Sequence, residues 1–176
     1  MKRILVAYAT RHGATAEIAL EIADRLCLRN FEVDLRTVEE VGSVAGYDGV
    51  VVGSSIRMGH WLAPAADFLT RHQAVLRTLP LAFFTVHFLA TDESEASCQQ
   101  RAAYVAPLHQ VVEPQAEAFF AGKIDPAKFS MGDKLIALLI RPEAGDQRDW
   151  AAIDRWADQL FVSPSSVPAE TGEAQR

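Results

Sequence analysis

The chain has few cysteines and no long hydrophobic run. Its two cysteines, Cys27 and Cys98, are far apart and lack the CxxC spacing of a redox or metal pair. We therefore expect no disulfide framework, a reducing cytoplasmic setting, and both thiols buried inside helices. No run of about 18 apolar residues is present, which argues against a transmembrane helix. The apolar N-terminal stretch is short and soon interrupted by Arg11, so it predicts a first strand rather than a signal peptide.

An excess of positive charge is missing as well. The chain has 17 basic and 23 acidic residues, a net charge of −6 over 176 residues, which argues against nucleic acid as the main partner. The sequence contains neither HExxH nor GxSxG, and it lacks both GxGxxG and GxxxxGK[ST]. These absences argue against a metal site, acyl transfer, dinucleotide binding and triphosphate hydrolysis.

What is present is an alternation of strand and helix patterns. Continuous apolar runs, typical of buried parallel strands, are found at 2–8, 47–53 and 81–89, and a further strand is predicted at 114–121. Residues 31–36 alternate apolar and charged side chains, as a more exposed edge strand does. Apolar residues at helical spacing predict helices at 13–29, 62–76, 94–109 and 150–161, the last with Trp150 and Trp156 in the core.

This order of elements predicts one α/β domain over residues 1–162. The domain is a doubly wound, five-stranded parallel sheet in the order 2-1-3-4-5, with helices on both faces. Residues 124–149 are an insert before the last helix, and the polar residues 163–176 are expected to be a disordered tail. The apolar run 135–140 is either buried against the sheet or part of a membrane or partner surface at 131–140.

The loop after the first strand is suited to an anion. It reads ATRHGAT, residues 9–15, and leads directly into the first helix. Gly13 permits a tight turn, the helix N-terminus offers unpaired N–H groups, and Thr10 and Thr15 add hydroxyls. Because the dinucleotide and triphosphate motifs are absent, a monophosphate is the guest that remains. A helix cap without a ligand is the alternative interpretation.

Two further loops belong to the same edge of the sheet. They read GSSIRMGHW, residues 53–61, and VHFLATDES, residues 86–94. The predicted strand order places all three loops around one crevice at the carboxyl ends of the strands. The first of these two loops mixes apolar residues with accessible glycine backbone, which suits a flat heteroaromatic ring. A loop for a phosphate and two loops for a ring predict FMN as the cofactor. Within this crevice Trp61 is interpreted as a packing residue, with ring stacking as the alternative.

These motifs also resemble a known family. ATRHGAT resembles the T-x-[ST]-G-x-T phosphate loop of flavodoxins. YATRHGAT and GSSIRMGHW together resemble the menaquinone-dependent protoporphyrinogen dehydrogenase branch of the flavodoxin-fold family, over residues 2–161. The resemblance implies a flavodoxin-like fold with FMN. Met58 stands where that branch usually has tyrosine, and the insert is shorter and less basic than the branch leads us to expect.

The resemblance implies a set of cofactor-binding residues. The phosphate would be held by Thr10, Arg11, His12, Gly13, Ala14 and Thr15. One side of the ring would meet Ser54, Ser55, Ile56, Arg57, Met58 and Gly59, and the other side His87, Phe88, Leu89, Ala90 and Thr91. A backbone group near Gly59 is the expected partner of flavin N5, because glycine can flip its peptide.

The resemblance further implies an oxidoreductase of haem biosynthesis that passes electrons from a porphyrinogen-type substrate through the flavin to a quinone-type acceptor. His60 is the candidate proton relay, and Arg57 the candidate for binding a substrate carboxylate or steering an anionic partner. Purely structural roles are the alternatives for both. A flavodoxin-type electron carrier with a redox protein as partner, and an NAD(P)H-dependent flavin quinone reductase, are alternative functions. The expected location is the cytoplasm, with contact at the inner membrane face through 131–140 as an addition.

Overall fold

The computed structural model describes residues 1–124, 130–132, 134 and 145–162. Its principal strands are β1 (Arg3–Ala9), β2 (Glu32–Thr37), β3 (Gly49–Arg57), β5 (Leu81–His87) and β6 (Ala116–Ala121). Three two-residue strands accompany them: β4 (His60–Trp61), β7 (Lys123–Ile124) and β8 (Gly145–Asp146). The helices with described bounds are α1 (Ala14–Leu28), α2 (Ala63–Leu76), α3 (Glu95–His109) and α4 (Trp150–Gln159).

The principal strands form a parallel sheet in the order β2-β1-β3-β5-β6. This is the doubly wound order that the sequence predicts, so the fold class is confirmed. Tyr8 pairs with Gly53, and Gly53 pairs with Phe84. The carboxyl ends of β1, β3 and β5 therefore lie side by side, and the segments that follow them share one edge.

The core has two layers, one on each face of the sheet. Helices α2 and α3 cover one face, where Phe68, Leu69 and Phe83 are fully buried. Helices α1 and α4 cover the other face, where Ile22 and Ile153 are fully buried. Each such side chain contributes about 1.5–3 kcal/mol by leaving water. Successive side chains of a central strand point alternately into the two layers, so both sets are buried, and this explains the continuous apolar runs.

Three expectations about single residues are wrong. Cys27 and Cys98 are both exposed, not buried. Cys27 directly follows Leu26, the last member of the buried row of α1, and so lies beside that row rather than on it. Trp150 is 38% exposed because it occupies the first position of α4, outside the face that packs on the sheet. Trp156 does pack inside, against Phe84 and Phe120.

The insert leaves and rejoins the domain at one point. Strands β7 and β8 pair in antiparallel fashion, with Lys123 opposite Asp146. The apolar run 135–140 and the tail 163–176 lie outside the described residues, so the predictions made for them, like the domain bounds, stay predictions. Among the helices of the described residues, none has the length and apolar character needed to cross a membrane.

Candidate functional site

The loop between β1 and α1 presents backbone N–H groups. Gly13 has φ 95°, a left-handed conformation that glycine adopts without strain. Its N–H donates to Thr10 Oγ1 at 3.0 Å, which closes the turn. The first helical hydrogen bond runs from Glu17 N to Gly13 O at 3.1 Å. The N–H groups of residues 14–16 precede that bond and have no acceptor within the helix, which leaves them for an anion.

Thr15 provides the clearest indication of an anion-binding site. It is 1% exposed, and its Oγ1 is buried with no hydrogen-bond partner among the residues that the structure describes. A buried hydroxyl without a partner costs about 1–3 kcal/mol. An acceptor at the start of α1 would remove that cost. The loop therefore fits a phosphate, whose oxygens accept from N–H and O–H donors alike.

The flanking residues of this loop differ in exposure. Arg11 is exposed, and its guanidinium nitrogen lies 3.5 Å from Ser130 Oγ, which joins the loop to the insert. His12 is partly exposed, whereas Ala14 is 7% exposed and packs inward at the start of α1. Backbone and Thr15 thus form the floor of the loop, and Arg11 lies at its rim.

The segment after β3 is a hairpin rather than an open loop. Strand β3 runs on to Arg57, and the chain turns at Met58 (φ 51°) and Gly59 (φ 80°). It returns as β4, with Arg57 opposite His60. A two-residue turn with both φ values positive is the tight hairpin turn that matches the twist of paired strands. The sequence prediction missed this hairpin because methionine is an unusual residue at the first turn position.

The base of the hairpin is held by side chains. Ser54 is buried, accepts from Leu62 N at 3.0 Å and donates to Ser55 O at 3.0 Å. Trp61 is 5% exposed, and its Nε1 donates to Thr85 Oγ1 at 2.9 Å. Its ring centroid lies 5.0 Å from that of Phe83. Trp61 is therefore a packing residue, as the sequence predicts.

The tip of the hairpin projects into solvent. Met58 is 80% exposed, and Gly59 and His60 are exposed too. A Cβ on Gly59 would meet no atom within 4 Å, so the backbone angle and not crowding favours glycine there. In the loop that follows β5, Leu89 is 39% exposed. The two segments thus offer apolar side chains at the same edge of the sheet, which fits a planar ring held between them.

His87 supports the third loop from inside. It is 3% exposed, and its ring lies near those of Tyr104 and Phe119, with centroids 6.4 and 6.3 Å away. Its Nδ1 lies 2.6 Å from the carbonyl oxygen of Leu89, so Nδ1 carries the donated proton. Burial lowers the pKa of His87, which favours the neutral ring. His87 therefore shapes the loop by holding Leu89.

Arg101 holds the same loop from α3, and sequence reasoning missed it. Its NH1 donates to the carbonyl oxygens of Ala90 and Asp92, each at 2.7 Å. Ala90 has φ 58°, so this clamp stabilises a strained turn. The missed signal is its position: Arg101 shares the helical spacing of the buried Tyr104 and Leu108. A charge at a core-facing helix position requires local partners.

Fold and site together define a mononucleotide-binding α/β domain: a parallel sheet, a phosphate-type loop after β1, and two further segments at the same edge. Residues 5–150 match the family model described as Flavodoxin domain, and the chain belongs to that family. Membership confirms the predicted flavin-binding redox class and FMN as the cofactor.

Comparisons with individual proteins agree with this assignment. The chain is similar to the protoporphyrinogen IX dehydrogenase [quinone] of Leishmania major, 27% identical over 94% of this chain and 78% of that protein. It is 28% identical to the protein of the same name from Escherichia coli (strain K12), over 84% and 83% of the two chains. A short-chain flavodoxin associated with a non-canonical PDU bacterial microcompartment shares the fold, with TM-score 0.58, 16% identity and coverage of 91% and 97%.

Proposed function

We propose that this protein is an FMN-dependent dehydrogenase that oxidises a porphyrinogen-type substrate and passes the electrons to a quinone-type acceptor. The observation that carries the proposal is the similarity, over 94% and 84% of this chain, to two proteins named protoporphyrinogen IX dehydrogenase [quinone]. The family match over residues 5–150 takes in the carboxyl edge of the sheet, where the three segments meet. The contacts of single residues with FMN are part of this proposal.

The phosphate of FMN binds at the start of α1. The N–H groups of Ala14 and Thr15 and the buried hydroxyl of Thr15 donate to its oxygens. Thr10 and Gly13 shape the turn, and Arg11 and His12 flank it. One side of the flavin ring is lined by Ser55, Ile56, Met58 and Gly59, and Ser54 holds the hairpin behind them. The other side of the ring is lined by residues 87–91. Bound FMN supplies the two-electron redox chemistry, and the protein supplies binding and orientation.

Arg57 and His60 act on the substrate. They face each other across the hairpin, immediately next to its tip. The guanidinium of Arg57 binds a substrate carboxylate and so orients the macrocycle, because its fork of N–H groups matches two carboxylate oxygens. His60 is exposed and carries a proton between substrate and solvent, a role for which imidazole is suited near neutral pH.

Exposed apolar side chains complete the substrate surface. Met58 and Leu89 are exposed on neighbouring segments and exclude water from the apolar face of the macrocycle. Met58 is the more exposed of the two, and its flexible thioether adapts to the shape of a large ring.

Anaerobic rapid mixing tests the proposal. Flavin-loaded protein is mixed with protoporphyrinogen, the flavin absorbance is followed, and a menaquinone analogue is then added. We expect rapid bleaching followed by quinone-driven recovery. Reduction by a flavoprotein reductase without reduction by protoporphyrinogen would instead indicate an electron carrier. Fast reduction by NAD(P)H would indicate a quinone reductase, and either result would overturn the proposed substrate.

Two variants test the assigned roles in the same assay. Arg57→Gln should raise the KM for protoporphyrinogen, which carries carboxylates, about tenfold or more and leave reduction by dithionite unchanged. His60→Gln should lower the rate of reduction and flatten its pH profile around neutrality. Unchanged kinetics in both variants would show that the hairpin side chains have structural roles alone.

A further inference from the structure

Arg148 ties the base of the insert to the first turn of α1. Its side chain is 4% exposed, and its NH1 lies 2.5 Å from Glu17 Oε2. Its Nε and NH2 donate to the two carboxylate oxygens of Asp146 at 2.8 and 2.6 Å. The guanidinium carbon lies 4.5 Å from the ring centroid of Trp150. Paired carboxylates and an aromatic face thus hold the guanidinium in one position.

The described residues of this cluster bring charges of both signs together. Glu17 and Asp146 are negative, whereas Arg148 and Lys123, which lies opposite Asp146 in the β7–β8 pair, are positive. Hydrogen bonds from Arg148 hold the pKa of Asp146 at about 2, so that carboxylate stays ionised at neutral pH. Loss of Arg148 would therefore remove one positive charge from beside Glu17 and Asp146.

That place is the N-terminal turn of α1. Glu17 N makes the first helical hydrogen bond, to Gly13 O, so Glu17 belongs to the same turn as the N–H groups of the phosphate loop. A carboxylate at a helix N-terminus is favoured by the helix dipole when no ligand is bound. The same carboxylate repels a phosphate dianion at that end of the helix. The partnerless hydroxyl of Thr15 in the same turn independently indicates an anionic acceptor there.

We propose that Arg148 neutralises Glu17 and thereby keeps the first turn of α1 receptive to the phosphate of FMN. Arg148 is a positioning residue that acts through Glu17 and need not touch the cofactor. This inference rests on the proposed function, because it takes the phosphate to bind at the start of α1.

A charge series at two positions tests the inference. Flavin-free wild type, Arg148→Gln, Glu17→Gln and the double variant are titrated with FMN and with riboflavin, which has no phosphate, at low ionic strength. Arg148→Gln should weaken FMN binding about five- to tenfold and change riboflavin binding less than about twofold. Glu17→Gln should tighten FMN binding, and the double variant should return to within about twofold of wild type. Added salt should shrink all these differences.

Two further variants serve as controls. Arg148→Lys keeps the charge and should keep most of the preference for FMN over riboflavin. Arg25 lies in the last turn of α1, far from the phosphate loop, and pairs with Asp158 of α4. Arg25→Gln breaks this ion pair and should leave the preference for FMN over riboflavin unchanged. If Arg148→Gln fails to fold, Glu17→Gln alone decides the matter through its gain in FMN affinity.

Several outcomes would overturn the inference. An equal loss of FMN and riboflavin binding in Arg148→Gln, not restored by Glu17→Gln, would show that Arg148 merely anchors the hairpin. Unchanged FMN binding in both single variants would show that the cluster has no influence on the phosphate. A wild-type protein that prefers FMN no more than riboflavin would disprove the phosphate site itself, and this result is visible before any variant is made.

Discussion

Two buried threonines show how the interior of the sheet differs from its carboxyl edge. Thr85 is fully buried, and its Oγ1 accepts from the indole of Trp61 at 2.9 Å. Thr15 is equally buried, yet its Oγ1 has no partner among the described residues. In the interior the fold satisfies its own polar groups. At the edge one buried hydroxyl has no partner among the described residues, so burial by itself does not show that a polar group is satisfied by the fold.

The backbone shows the same difference. Along β3 and β5 the strands pair in unbroken register, and close packing is the constraint. At the carboxyl edge Gly13, Met58 and Ala90 have positive φ angles. For residues other than glycine such angles cost about 1–2 kcal/mol each and persist where the surrounding structure holds them. The edge therefore gives up some stability to place its side chains.

Substitution of Gly53 by alanine should have the largest effect on stability, because it disrupts close packing in the interior of the sheet. A Cβ at Gly53 would lie 1.9 Å from Cζ of Phe84, whose ring is fully buried and cannot move aside. We expect the free energy of unfolding to fall by about 3 kcal/mol. Urea denaturation measures this, with Gly42→Ala, where a Cβ meets no atom within 4 Å, as the control. A loss no larger than that of the control would contradict the packing argument.

The matched variants Thr85→Val and Thr15→Val test whether the two buried hydroxyls serve different purposes. Thr85→Val leaves the buried indole N–H of Trp61 without an acceptor and should cost about 1–3 kcal/mol. Thr15→Val removes a hydroxyl that has no described partner, so flavin-free protein should keep or gain stability. FMN affinity should fall about tenfold in Thr15→Val, with riboflavin affinity spared. Equal destabilisation by both variants would show that the fold itself uses the Thr15 hydroxyl.

Relief of backbone strain at the hairpin tip should separate stability from activity. Met58→Asn creates an Asn-Gly turn, which favours the two positive φ angles found there. We expect the free energy of unfolding to rise by about 0.5–1 kcal/mol. The KM for the porphyrinogen should rise as well, because an exposed apolar contact is lost. Thermal unfolding and steady-state kinetics measure the two effects. Gly59→Ala is the opposite control: at φ 80° it should destabilise by about 1 kcal/mol. A stable Met58→Asn variant with unchanged KM would show that Met58 does not contact the substrate.

The smallest effect concerns pH. Burial lowers the pKa of His87, so the unfolded chain takes up a proton near the ordinary value of 6.5 and the folded chain does so only at lower pH. Stability is therefore complete above about pH 6.5 and falls as the pH drops below it. Between about pH 7.5 and 5.5 the free energy of unfolding falls, and His87→Gln should make this fall smaller by less than about 1 kcal/mol. His72, whose pKa is also lowered by burial, accounts for part of what remains. Identical pH dependence in both proteins would contradict a neutral, buried His87.

Local pattern carried much of the fold prediction. The apolar runs of β1, β3 and β5 and the helical rows between them indicated parallel strands covered on both faces, and hence the edge where the loops meet. Composition also indicated which loop suits an anion. It did not indicate the exposure of Cys27 or Trp150, because exposure depends on where each helix begins and how it lies on the sheet.

The sequence was enough to predict the strand order, the family and the cofactor, because the element patterns and loop motifs that indicate them are each carried by residues close together in the chain. The tertiary structure decided which groups are satisfied. Three features became visible only there: Thr15 Oγ1 has no partner among the described residues, Arg101 holds the loop at 87–91, and Arg148 contacts Glu17 across 131 positions. Hydrogen bonds and ion pairs depend on distances of a few ångströms, and packing sets those distances between segments that are remote in sequence.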